Sequence, residues 1–170
     1  NAGLKITLTD ERAEREPQIF HFEGGITEFV AHLNRGKQPL HPQPIYIEHQ
    51  KQLNNSADTL SMQLALQYNN SYAENVFSFA NTINTIDGGA HLSGFRSALT
   101  RTINTYGQEH KLFKDLKENL TGEDTREGLT AVVSVKLPQP QFEGQTKGKL
   151  NSDIQGHVVA FVNEKLGQYF

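Results

Sequence analysis

Two periodicities run through the chain, and they alternate. Leu4, Ile6 and Leu8 are separated by polar residues, the period-two pattern of a half-buried strand. Ile19, Phe20 and Phe22 predict a second short strand. The charged run from Asp10 to Glu16, followed by Pro17, reads as a solvated turn between the two. Ile26, Phe29, Val30 and Leu33 then fall on one face of a helix, which Gly36 ends. Pro39, Pro42 and Pro44 mark a loop that no helix could cross. Ile45 and Ile47 open another strand, and Leu60, Met62, Leu64, Leu66 and Tyr68 alternate along a longer one. Asn69-Asn70-Ser71 has turn chemistry and leads to Val76, Phe77 and Phe79, so the pattern predicts a hairpin of these two strands. Leu92, Phe95, Leu99, Ile103 and Tyr106 form the strongest helical stripe, with Gly107 expected to stop or loosen it. Leu129 to Val135 is a continuous run rich in β-branched residues, the mark of a central strand buried on both faces, and Pro138 and Pro140 end it. Ser152-Asp153-Ile154-Gln155 reads as a capping box before a last helix carrying Ile154, Val158, Phe161, Val162, Leu166 and Tyr169.

Most strands are neighbours in sequence and helices are few. That order predicts an α+β domain: a mostly antiparallel mixed sheet with helices packed on one face. At 170 residues the chain is long enough for one domain with a real core. Its formal charge of −3 argues against a freestanding nucleic-acid binder, without excluding a local basic patch. Cysteine is absent, which removes disulfides, zinc-thiolate sites and cysteine nucleophiles. No run of about 18 apolar residues is long enough for a membrane span. The chain starts without Met and without the features of a signal peptide, and its last helix ends mid-pattern. We therefore expect a piece cut from a longer protein.

Conventional catalytic patterns are missing. The histidines form no ligand spacing; His91-Leu92-Ser93-Gly94 is not H-E-x-x-H, and His21, His41 and His110 read as surface residues. No G-x-S-x-G elbow occurs. Glu23-Gly24-Gly25 and Asp87-Gly88-Gly89 lack the P-loop and dinucleotide spacings and read as turns. The segment Phe142-Glu143-Gly144-Gln145-Thr146-Lys147-Gly148-Lys149 is different. It joins the buried strand to the last helix and combines two glycines, two lysines and a Gln-Thr pair, flexible donors that a phosphate could use.

That segment resembles the Q-T-K loop in the ATPase region of type II DNA topoisomerases. Three others agree with the same family in the same order: Phe22-Glu23-Gly24-Gly25; Asp87-Gly88-Gly89-Ala90-His91 with Gly94-Phe95-Arg96-Ser97-Ala98-Leu99-Thr100-Arg101; and Leu120-Thr121-Gly122-Glu123-Asp124-Thr125-Arg126-Glu127-Gly128-Leu129. From end to end the chain looks like the transducer domain of bacterial gyrase B subunits. Ala90 departs from the pattern, which usually has Thr there.

The resemblance implies a fold of the ribosomal-protein-S-five domain-two-like type. It implies a single transducer domain over 1–170, following an absent nucleotide-binding domain and preceding an absent cleavage domain. Lys147 would contact the terminal phosphate of ATP, with Gln145 beside it and Thr146 in a weaker role, and Arg96 would face DNA. ATP and magnesium would serve the full-length enzyme, with none bound to this fragment alone. The partners would be the nucleotide-binding domain of the same chain, the gyrase A protein in an assembly of two A and two B subunits, and double-stranded DNA, in the bacterial cytoplasm. The nucleotide pocket motifs and the cleavage-domain motif are absent. The fragment alone is therefore expected to be folded, monomeric and inactive. The topoisomerase IV counterpart is the alternative, and an RNA-binding module of the same fold is a more distant one. Phe22 to Val30, with Leu33-Asn34-Arg35-Gly36-Lys37, looks more like gyrase.

Overall fold

A five-stranded sheet carries the structure. In the computed structural model, which describes residues 2–12, 15–53, 58–114 and 118–170, its central strand is the run singled out by its apolar sequence. A short antiparallel pair comes first, β1 (Lys5–Leu8) with β2 (Gln18–His21), followed by helix α1 (Gly25–Leu33). Strands β3 (Ile45–Gln52), β4 (Thr59–Tyr68), β5 (Asn75–Ala80) and β6 (Ile83–Asn84) lead to β7 (Gly88–Gly89) and the long helix α2 (Ala90–Glu109). A 3-10 turn at Asp124–Arg126 precedes β8 (Leu129–Lys136), the two-residue strands β9 (Phe142–Glu143) and β10 (Lys149–Leu150), and helix α3 (Gln155–Tyr169).

The main sheet runs β3-β4-β8-β5-β6. β8 is antiparallel to β4, with Val133 opposite Leu64, and parallel to β5, with Val133 opposite Ser78. Every residue of β8 except Lys136 is buried. On one face Leu60, Met62, Leu64 and Leu66 of β4 and Ala131, Val133 and Val135 of β8 meet Phe95, Ala98 and Leu99 of α2 and Val158, Phe161, Val162 and Leu166 of α3. Strand alternation sends Ala65 and Val132 to the opposite face, where Val30 of α1 packs with Ile26, Phe29, Leu33, Phe77 and Phe79. The α+β class and the antiparallel-dominated sheet thus stand as expected. The two long helices share one face, and the short α1 covers part of the other.

Three local expectations need correction. Strands β4 and β5 do not form a hairpin, because β8 lies between them. Asn69 N donates to Gly128 O at 2.9 Å, and Asn69 Nδ2 donates to Thr130 Oγ1, so the supposed turn is stitched to the start of β8. A strand buried on every residue but its last needs a partner on each edge, and β4 and β5 supply them. The capping box does not form either. Ile154 occupies the N-cap with no side-chain hydrogen bond, and Ser152 Oγ instead accepts from Gln141 N at 2.8 Å. Finally, Gly107 does not stop α2, which runs on to Glu109. A Cβ there would collide with the Phe113 ring, so the glycine is required for packing.

The β1–β2 pair forms where its alternation places it. In this chain, however, Leu4, Ile6, Leu8 and Ile19 are all more than half exposed rather than half-buried, and Phe20 is 40% exposed. The charged run after β1 includes residues 13–14, which lie outside the described residues; Asp10 and Arg12 within it form an exposed ion pair.

Candidate functional site

Gln145, Thr146 and Lys147 sit together at the tip of the β9–β10 hairpin. The strands are in register through Glu143 opposite Lys149. Gly144 turns the chain with a positive φ of 71°, and Lys147 N closes the turn on Gly144 O at 3.4 Å. Lys147 itself has a φ of 55°, the left-handed region that non-glycine residues seldom occupy. All three tip side chains are exposed.

The two lysines of this segment behave differently. Lys149 Nζ lies 2.8 Å from Glu143 Oε2 across the hairpin; this contact holds the Glu143 carboxyl below, and the Lys149 ammonium above, their usual ranges. Lys147 makes no ion pair among the described residues. Its Nζ lies 5.9 Å from the centroid of the Phe142 ring, a weak cation–π contact worth about 0.5–1 kcal/mol at an exposed site. One cation of the loop is neutralised and the other is available.

The hairpin root is fixed as firmly as its tip is free. β10 pairs in parallel with β7, Lys149 opposite Gly88 and Leu150 opposite Gly89. Asp87 N donates to Gly148 O at 2.9 Å. The approach is so close that a Cβ on Gly89 would strike the Leu150 backbone, and one on Gly148 would strike the Asp87 carboxylate. Gly89 has a φ of 133°, outside the reach of ordinary side chains, and is followed at once by α2. The Asp87-Gly88-Gly89 segment, which as a sequence reads only as a turn, is therefore the socket for the Gln-Thr-Lys hairpin.

A buried polar knot backs this socket. Thr85 Oγ1 donates to Ser78 O at 2.9 Å, and Ser78 Oγ lies 3.0 Å from Thr85 O. The Thr85 hydroxyl also lies 2.7 Å from Ser78 Oγ and 3.0 Å from His91 Nε2, so it shares a hydrogen bond with each. His91 Nδ1 is buried with no hydrogen-bond partner among the described residues. His91 is completely buried, and burial pushes its pKa down to about 4, so it is neutral at ordinary pH. Gly88 N completes the knot by donating to Thr85 O at 2.9 Å. The sequence shows His91 only as a histidine without a ligand pattern. Its apolar spacing with Leu92 and Phe95 gives the one signal that it faces inward.

Arg96 belongs to a different cluster. Its Nε and Nη2 donate to Glu74 Oε1 at 2.9 and 2.6 Å, and Arg126 Nε donates to Glu74 Oε2 at 3.0 Å. None of its hydrogen bonds reaches the hairpin. Arg126 comes from the 3-10 turn, which Thr121 and Asp124 close on each other and which Thr125 ties to Thr100 of α2 at 2.9 Å. The structure thus pairs the sequence motifs two by two: Asp87 to His91 with the Gln-Thr-Lys hairpin, and Gly94 to Arg101 with Leu120 to Gly128. Phe22 to Gly25 opens α1 on the other face of the sheet. Among the described residues no group of three His, Cys, Asp or Glu side chains could hold a metal, and no helix is long and apolar enough to cross a membrane.

The DNA gyrase B family model matches residues 25–170. The DNA gyrase B protein of Clostridium acetobutylicum is 53% identical over 171 aligned positions, covering 99% of this chain and 26% of that protein. The Halalkalibacterium halodurans counterpart is 54% identical, with the same coverage of both. The chain therefore spans about a quarter of the length of these curated relatives. Among solved structures, the 43K ATPase domain of Thermus thermophilus gyrase B, in complex with an aminocoumarin, superposes with a TM-score of 0.81 at 35% identity, over 99% of this chain and 43% of that one. The topoisomerase IV ATP-binding domain of Francisella tularensis gives 0.68 at 28% identity, over 98% of this chain and 42% of that one. On the family match and these identities, the chain belongs to the DNA gyrase B family.

Proposed function

We propose that the chain is the transducer domain of an ATP-dependent type II DNA topoisomerase, the gyrase B protein, and that it is one domain of a longer polypeptide. In this reading an adjoining nucleotide-binding domain holds ATP, and the hairpin reaches across to its terminal phosphate. The complete enzyme would work in the cytoplasm with two A and two B subunits and duplex DNA. The observation that carries the reading is the contrast within one hairpin: an exposed tip whose Lys147 has no ion pair among the described residues, on a root with no freedom to shift.

ATP and ADP differ by one phosphoryl group, so a detector must touch that group. Lys147 brings a compact positive charge on a long stem. Two unit charges about 4 Å apart interact by roughly 4 kcal/mol at an effective dielectric of 20. Desolvation and ordering reduce this to about 2–3 kcal/mol, enough to shift a two-state arrangement by roughly 30- to 150-fold. Gln145 donates an uncharged hydrogen bond to the same oxygens, and Thr146 shapes the turn. The donor set therefore suits an anionic phosphate. Magnesium would come with the nucleotide, because the described residues offer it no site of their own. When the terminal phosphate leaves, the tip loses its partner, and the rigid root transmits that loss to α2 and the sheet. Lys147 can also stabilise charge in the transition state of hydrolysis, and the two roles are compatible.

Arg96 is the DNA-facing residue in this reading: a phosphate contact without sequence readout. Arg96→Gln in the full enzyme reduces DNA-stimulated hydrolysis more than basal hydrolysis; equal stimulation in variant and parent would remove the role. The test of the whole proposal is Lys147→Ala in the full-length protein. ADP binding stays near normal, while hydrolysis and ATP-driven closure fall strongly. Unchanged turnover and closure would refute it.

A further inference from the structure

The Arg96 cluster has a built-in order. Arg126 is its inner member, 17% exposed, with Nη1 packed so closely over Gly122 that a Cβ there would come within 2.7 Å of it. Glu74 is intermediate at 29%, and Arg96 is outermost at 42%. Glu74 spends one carboxylate oxygen on each arginine. The neighbouring Asp124 turns Oδ2 to Thr121 N and Oγ1, both at 2.7 Å, and makes no ion pair with Arg126 among the described residues. Here the outermost cation is already held by a carboxylate, and that carboxylate is secured from behind by a second cation.

We propose that Glu74 is an intramolecular competitor for Arg96, which a DNA phosphate must displace. The inference rests on the reading of Arg96 as DNA-facing. Arg126 makes the exchange possible: when Arg96 swings to a phosphate, Glu74 keeps a guanidinium partner and is not left as an unpaired charge. The three side chains carry a net charge of +1, so the patch attracts DNA weakly and releases it readily. Removing the carboxylate leaves two uncompensated arginines and a stickier surface.

The experiment measures binding of a short duplex to the full-length protein over a series of salt concentrations. Glu74→Gln tightens binding by about two- to five-fold at low salt, the range of a half-exposed ion pair. It also steepens the salt dependence toward one further neutralised phosphate, about 0.9 in the logarithmic slope. Adding Arg96→Gln to Glu74→Gln removes both gains, which a merely structural role for Glu74 would not produce. Glu74→Asp, too short to serve both guanidiniums, moves affinity in the same direction by less and stands in should the glutamine variant fold poorly. If Arg96→Gln weakens binding while both Glu74 variants leave it unchanged or weaker, the competitor role is wrong and the DNA-facing role of Arg96 survives. If Arg96→Gln alone changes neither binding nor DNA stimulation, the underlying reading fails and takes this inference with it.

Discussion

Helix α2 meets two regions that are held in opposite ways. At its N-terminal end the Gln-Thr-Lys hairpin is joined backbone to backbone, through Gly89 against Leu150 and Gly148 against Asp87, with no space for a single added carbon. A little further along, Arg96, Glu74 and Arg126 are joined only by side-chain ion pairs near the surface. A contact without slack transmits a displacement, because neither side can move alone. A half-exposed ion pair exchanges partners, because water and other anions compete with it. In the proposed reading the first region relays and the second lets go.

The largest effect should come from breaking the close approach. Gly89→Ala places a Cβ on the Leu150 backbone at a φ of 133°. It should destabilise the purified 170-residue chain by about 3 kcal/mol or more, read by chemical denaturation. A loss below about 1 kcal/mol would mean that the hairpin root is not locked. Thr85→Val comes next. It keeps the shape but strips the hydroxyl, leaving His91 Nε2 without its hydrogen-bond partner while Ser78 O keeps the Thr85 backbone N–H, at a cost of about 1–3 kcal/mol.

The same knot sets a pH dependence. The folded-state pKa of His91, about 4, lies below its unfolded value near 6.5, so the unfolded chain binds the proton more readily. This contribution is fully present above about pH 6.5 and is lost as pH falls toward 4, reaching about 2 kcal/mol of lost stability at pH 5. His91→Gln should flatten the pH 5–7 segment of the stability curve relative to the parent, since the carboxylates titrate alike in both. Parallel curves would show that His91 is accessible to protons in the folded state. The smallest effect belongs to the exchangeable region: Arg96→Gln should change stability by no more than about 1 kcal/mol while altering DNA stimulation.

The two regions were also unequally legible in the sequence. Alternation in β4 and the continuous β-branched-rich run of β8 announced those strands, and the spacing of Leu92, Phe95, Leu99 and Ile103 announced α2, because these are local patterns. The tip residues Gln145, Thr146 and Lys147 could be named from their motif, but not the state of their charges. Only the cross-strand register shows that Lys149 is consumed by Glu143 and Lys147 is not. The insertion of β8 between β4 and β5 depends on Asn69 meeting Gly128 and Thr130, the latter 61 residues away, contacts that no local period records. Glu74 lies just beyond the Asn69-Asn70-Ser71 turn and carries no sequence signal of its own. Its importance arises from two arginines brought to it across 22 and 52 residues. Asn34 likewise reads as part of a helix end, yet it is buried and bonds Gln67, Asn69 and Thr130, tying α1 to the sheet.

The central claim is that a fixed hairpin presents Lys147 to the terminal phosphate, and nucleotide affinity tests it most directly. In the full-length protein, the affinities of ADP and of a non-hydrolysable ATP analogue are measured for the parent and for Lys147→Ala. The account predicts that ADP affinity is unchanged, while the preference for the triphosphate falls by roughly 30- to 150-fold, the loss of about 2–3 kcal/mol. An unchanged ratio of the two affinities would contradict it.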